Sequence, residues 1–172
     1  MAISLYELCV PTYLQILGAT EGFLAKGLAH FNDKKVDPNE VVEARLFDDM
    51  LPFRFQIVAV AHHSLGALRG VQAGQFGPPA PSSPDYAGLQ KLVSEAREAV
   101  QKMTPAEVNA CEGKDVTFQI RDTKIPFTAT GFIQSFSLPN FYFHATTAYD
   151  ILRHKGVPIG KRDFLGRMRI KS

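Results

Sequence analysis

Val10, Leu14, Leu17, Leu24, Leu28 and Phe31 follow one another at steps of three, four or seven residues. Side chains at that spacing line one face of a helix, so the chain opens on a long helix with a single buried stripe. Such a helix gains little stability alone and must bury its stripe against other elements. Glu21 stands where the stripe calls for an apolar group. A carboxylate there marks either the polar end of a core or a cavity, because ionised carboxylates are seldom buried without a partner.

The same period recurs. Asp37, Pro38 and Glu40 read as N-cap, first helical residue and capping-box acid of a short helix to about Leu46. Asp48 or Asp49 caps the next helix, from about Pro52 to Gly70, with Phe53, Ile57, Val60, Ala61, Leu65 and Leu68 inward. The Pro/Gly/Ser stretch from Gly74 to Pro84 reads as a surface loop. After it Ser83 and Pro84 restart a helix buried through Leu89, Leu92, Val93, Ala96, Val100 and Met103. The period then switches to two: Val116, Phe118 and Ile120, then Ile125 and Phe127, predict a small hairpin whose Pro126 strand lies at an edge. A last helix runs from Thr130, kinked at Pro139, to Lys155 and stops at Gly156. The expected fold is therefore all-α, an up-and-down four-helix bundle with an accessory β-hairpin. Residues 1–172 form one domain, with 157–172 a basic loop or tail.

With 172 residues, 45% of them hydrophobic, the chain is long enough for one substantial core. A net charge of +2 gives nucleic-acid binding no general support. The most apolar window, Phe53 to Leu68, is broken by Arg54, Gln56, His62 and His63, which speaks against a membrane span. Cys9 and Cys111 have neither metal-site nor disulfide-scaffold spacing. A cytoplasmic protein with reduced thiols is expected.

Candidate chemistry gathers on the last helix. At 100° per residue Phe141, His144, Ala145, Ala148, Ile151 and Leu152 share a face, so His144 points inward beside two small residues that leave room for a pocket. His62 and His63 diverge by about 100° and cannot both join it, and His63 is the preferred partner. A Ser137/His144 nucleophile is disfavoured by two turns of separation. Acid/base work suits the chain better: His144, His63 and Asp49 as catalytic candidates, with Tyr13, Glu21, Asn140 and Arg162 contacting substrate. In the tail, Lys161 or Arg162 is expected to reach an anionic substrate, with Asp163 paired to one of them.

The segment LPNFYFHATTAYDILRHKGVPIGKRDFLG, with SLYELCVPTYL and RLFDDMLPFRFQ, resembles the domain of unknown function 1993 family, within the DinB/YfiT-like superfamily of four-helix bundles. The resemblance spans nearly the whole chain. It implies that same bundle, and a metal site taking one histidine from the second helix and an H-x-x-x-H pair from the last. His144 matches the first member of that pair and His62 or His63 the second-helix ligand, while Ala148 departs from the third. The expectation is a small-molecule enzyme of isomerase or dehydratase type without cofactor, and a homodimer, because the long first and last helices carry apolar residues on more than one face. The alternatives are a non-catalytic bundle that binds a small ligand or protein, and a divalent-metal hydrolase or thiol transferase using zinc or nickel.

Overall fold

The computed structural model describes residues 3–171. Six helices and a small sheet are formed by the described residues. The first, α1 (Leu5–Lys34), starts at Ser4, whose hydroxyl accepts from the Glu7 amide, and ends where Lys35 turns left-handed at φ 58°. A 3₁₀ turn (Pro38–Val41) follows, then α2 over residues 53–73, which is α-helical over Phe53–Ala61, a π turn over His62–Gly66, and α-helical again over Ala67–Ala73. Next come β1 (Gln75–Phe76), α3 (Tyr86–Lys102) and the short α4 (Pro105–Asn109). Strands β2 (Asp115–Ile120) and β3 (Thr123–Thr128) lead into α5 over residues 129–154, again interrupted by a π turn at Ile133–Ser137. The chain closes on the one-turn α6 (Lys161–Leu165).

The four long helices pack on one another, α1 along α3 and α5, and α2 along α5 and α3. Between them lie Tyr13, Leu17, Phe23, Phe53, Ile57, Leu89, Phe132, Phe141 and Ile151, all but lost to solvent. Gly27 sets one of these approaches. A side chain there would run into the Tyr86 hydroxyl, which instead donates to the Leu24 carbonyl at 2.8 Å and ties α3 to α1.

Several expectations are corrected. Six helices replace four, the additions being the single turns α4 and α6. The expected helix to Leu46 shrinks to the Pro38–Val41 turn, because Asp37 accepts from Asn39 and no capping box closes with Glu40. Neither Asp48 nor Asp49 caps α2, which starts at Pro52 without a side-chain cap, and α3 is capped by Asp85 rather than by Ser83. The hairpin is part of a three-stranded sheet. β1, inside the stretch read as loop, pairs parallel to β2 through Gln75↔Thr117 and Phe76↔Phe118. β2 and β3 pair antiparallel from Asp115↔Thr128 to Ile120↔Thr123, and Pro126 sits on the edge strand, where its missing N–H breaks no inner ladder.

The tail is more ordered than a basic loop. Val157 and Ile159 are buried, Phe164 packs edge-on against Tyr149 at 5.7 Å, and Gln15 donates to the Leu165 carbonyl at 2.8 Å. Asp163 pairs with Lys26 at 2.6 Å and accepts from the Gly160 amide, rather than pairing with Lys161 or Arg162.

Candidate functional site

Two π turns face each other where α2 meets α5. A π turn adds a residue to the helical ladder and leaves carbonyls to be satisfied otherwise, a feature that recurs at functional sites. In α5 the turn precedes Pro139, which lacks the N–H that an α ladder would require, so the proline is absorbed by the widened turn. The Leu138 amide reaches back five residues to Ile133, and Asn140 donates its side-chain amide to the Phe136 carbonyl at 2.7 Å. In α2 the Ser64 hydroxyl lies 2.8 Å from the Val60 carbonyl and 3.1 Å from that of Ala61.

The two turns are stitched by a buried relay. The Ser137 hydroxyl donates to the His63 carbonyl at 2.7 Å, and Tyr13 of α1 donates to Ser137 at 2.8 Å. A serine hydroxyl has one proton, so its gift to His63 fixes the tyrosine as donor. Burial pushes the Tyr13 phenol far above its ordinary range and keeps it protonated.

Next to this relay the imidazoles of His63 and His144 lie nearly parallel, 16° apart with centroids at 5.8 Å. Phe55 and Phe143 pack edge-on against His144, while Phe76 and Phe136 flank His63. His62 turns away from His144, stacks on Phe76 at 4.4 Å and bonds the Gly77 carbonyl at 2.7 Å.

Gln56, 2% exposed, decides the protonation of His144. Its amide nitrogen donates to the Leu51 carbonyl at 2.7 Å, which turns its oxygen toward His144 Nδ1, also at 2.7 Å. Nδ1 therefore carries the proton and Nε2 holds a lone pair. Burial holds His144 down to about 4. Burial, His62 and His144 together hold His63 down to about 3. Both rings are neutral at pH 7. His63 Nδ1 is the one buried side-chain nitrogen or oxygen without a partner among the described residues. His144 is half-buried, and its Nε2 has no hydrogen-bond partner among the described residues.

The other candidates do not converge here. Tyr13 reaches the pair only through Ser137, Asn140 is committed to its own helix, and Asp49 and Arg162 are exposed. Glu21 pairs with Arg97 of α3 at 2.7 Å. Sequence reasoning missed Gln56 and the phenylalanine wall. Gln56 carried a signal, as a polar residue one turn from Phe53 and Val60 on the buried side of α2.

A metal fits this donor set poorly. Catalytic zinc ordinarily takes three protein ligands. Of the three imidazoles gathered here, His62 is bonded to the Gly77 carbonyl, His63 and His144 lie in nearly parallel planes, and the position one turn beyond His144 is the buried Ala148. Among the described residues no group of three His, Cys, Asp or Glu side chains could hold an ion.

The family model described as "Domain of unknown function (DUF1993)" matches residues 5–165. The chain is also similar to the crystal structure of a DinB family member protein from Shewanella denitrificans, at 25% identity and a TM-score of 0.81, over 98% of this chain and 95% of that one. A search of the curated proteins gives no match.

Proposed function

Since the chain belongs to the DUF1993 family and shares its fold with a DinB family member, we propose that it binds a compact organic molecule against the His63/His144 pair. His144 Nε2 acts there as hydrogen-bond acceptor and general base, in a reaction of isomerase or dehydratase type without a metal. The observation that carries this reading is the chain from the Leu51 carbonyl through Gln56 to His144, which fixes one tautomer in a ring flanked by Phe55 and Phe143. A base ionising at about 4 is weak, but it stays unprotonated and ready to accept throughout the neutral range. His63 stands beside it as a second neutral imidazole whose buried Nδ1 has no partner among the described residues.

Gln56 also favours a second reading, ligand binding without turnover. A neutral amide orients an imidazole but does not stabilise an imidazolium as a carboxylate does. Glu21, paired with Arg97, and the exposed Asp49 and Arg162 have no part in either reading.

A thermal-shift screen of small hydroxy, keto and amide compounds, followed by calorimetry on the hits, tests the site. His144→Ala should weaken binding at least tenfold with the helical circular dichroism intact, and Gln56→Leu should weaken it less. Hits that bind both variants as tightly as the parent would place the ligand elsewhere. Turnover of a hit separates the enzymatic reading from the binding one. We further infer a homodimer, supported by the exposure of Leu46, Phe47, Leu51, Tyr142 and Phe143.

A further inference from the structure

A cleft of about 440 Å³ lies between α1, α3 and the segment after α6. That volume falls in the range of small-molecule sites. Its floor is apolar where Pro11 and Leu14 face it and open where Gly18 has no side chain. Among the described residues its rim carries three guanidinium groups, Arg97, Arg167 and Arg169, against the single carboxylate of Glu21. The local excess of two positive charges equals the formal net charge of the whole chain, +2. A cleft with one sign of charge and low-dielectric walls focuses its field on an incoming ion.

The rim is positioned. Glu21 bonds one terminal nitrogen of Arg97 at 2.7 Å, which orients the guanidinium and leaves its remaining N–H donors free. Gln15 holds the Leu165 carbonyl at 2.8 Å, and Lys26 holds Asp163 at 2.6 Å, so the last segment is strapped to α1 just before its two arginines. Gly166 completes the strap. It turns at φ 58° and lies so close that a side chain would meet Ala19 at 3.1 Å and the Gln15 carbonyl at 3.2 Å.

We propose that this cleft binds a small organic anion, with an oxyanion head gripped by the arginines and a short apolar body on Leu14 and Pro11. Carboxylate and phosphate monoester heads share the required chemistry, since the guanidinium fork matches both.

Calorimetry with hexanoate and hexyl phosphate, against hexanol and inorganic phosphate, tests the proposal on the full chain. At least one hexyl anion should bind ten times more tightly than either control, and the better head identifies the ligand class. Arg167→Gln/Arg169→Gln should weaken that binding at least fivefold. Gly18→Leu should abolish it, because its side chain fills the floor. The variant is compatible with the fold: a Cβ there meets only Arg97, at an ordinary 3.5 Å, and leucine favours a helix over glycine. Binding of hexanol equal to that of the anions, or anion binding that survives Gly18→Leu, would overturn the proposal, as would failure of both anions to bind.

Discussion

At the residue scale, the distinctive feature is a pair of imidazoles kept neutral by burial. Histidines held below their unfolded value near 6.5 bind protons more readily in the unfolded chain. Their contribution to stability is therefore complete above about pH 6.5 and is lost as pH falls toward the folded values, about 4 for His144 and about 3 for His63. His62 is shifted in the same direction. The urea midpoint should fall between pH 7 and pH 5, and His63→Leu should shrink the fall. An unchanged midpoint would mean that the rings ionise as freely in the folded state as in the unfolded one. His144 was legible in the sequence because its face of α5 is otherwise apolar or small. Its governing contact was not, since Gln56 lies 88 positions away on another helix and periodicity says nothing of which polar groups meet.

At the scale of elements, the long helices could be read because their apolar residues repeat over many turns, as in Leu89, Val93, Ala96 and Val100 of α3. The π turns were not legible. They hold ordinary residues, HHSLG and IQSFS, and arise from tertiary demands: Pro139 removes a donor in α5, and Ser64 and Ser137 satisfy carbonyls around the two turns. Nor was β1 legible, a strand of two residues in a stretch dominated by glycine and proline. The relay across the turns makes a prediction for stability. Tyr13→Phe removes one neutral hydrogen bond and should cost about 1 kcal/mol. Ser137→Ala leaves both the Tyr13 hydroxyl and the His63 carbonyl without the serine as partner and should cost roughly 2–3 kcal/mol. The double variant should cost less than the sum, because both changes cut one chain. Equal, additive losses in chemical denaturation would show that the two bonds act independently.

At the scale of the whole molecule, the buried apolar side chains form one continuous core, with the sheet laid against the π-turn end of α2 and α5. Among the described residues no helix is long and apolar enough to cross a membrane. What the core leaves outside is unusually apolar in places: Phe47 is 68% exposed and Phe143 55%. Burying such side chains in a second copy is worth roughly 25 cal/mol per Å² of apolar surface. Light scattering at micromolar concentration should give twice the 19.0 kDa chain mass, and Phe143→Asp should lower it toward one. A single chain mass for the parent would remove the dimer.

The proposed chemistry requires that His144 stand neutral at pH 7 with its proton on Nδ1 and its Nε2 free to accept. Long-range proton–nitrogen NMR of the ring nitrogens measures this directly. The predicted spectrum shows His144 Nδ1 protonated and Nε2 bare at pH 7, converting to imidazolium with a midpoint near 4. A His144 ring that is protonated on Nε2 alone at pH 7, or that titrates near 6.5, would contradict it.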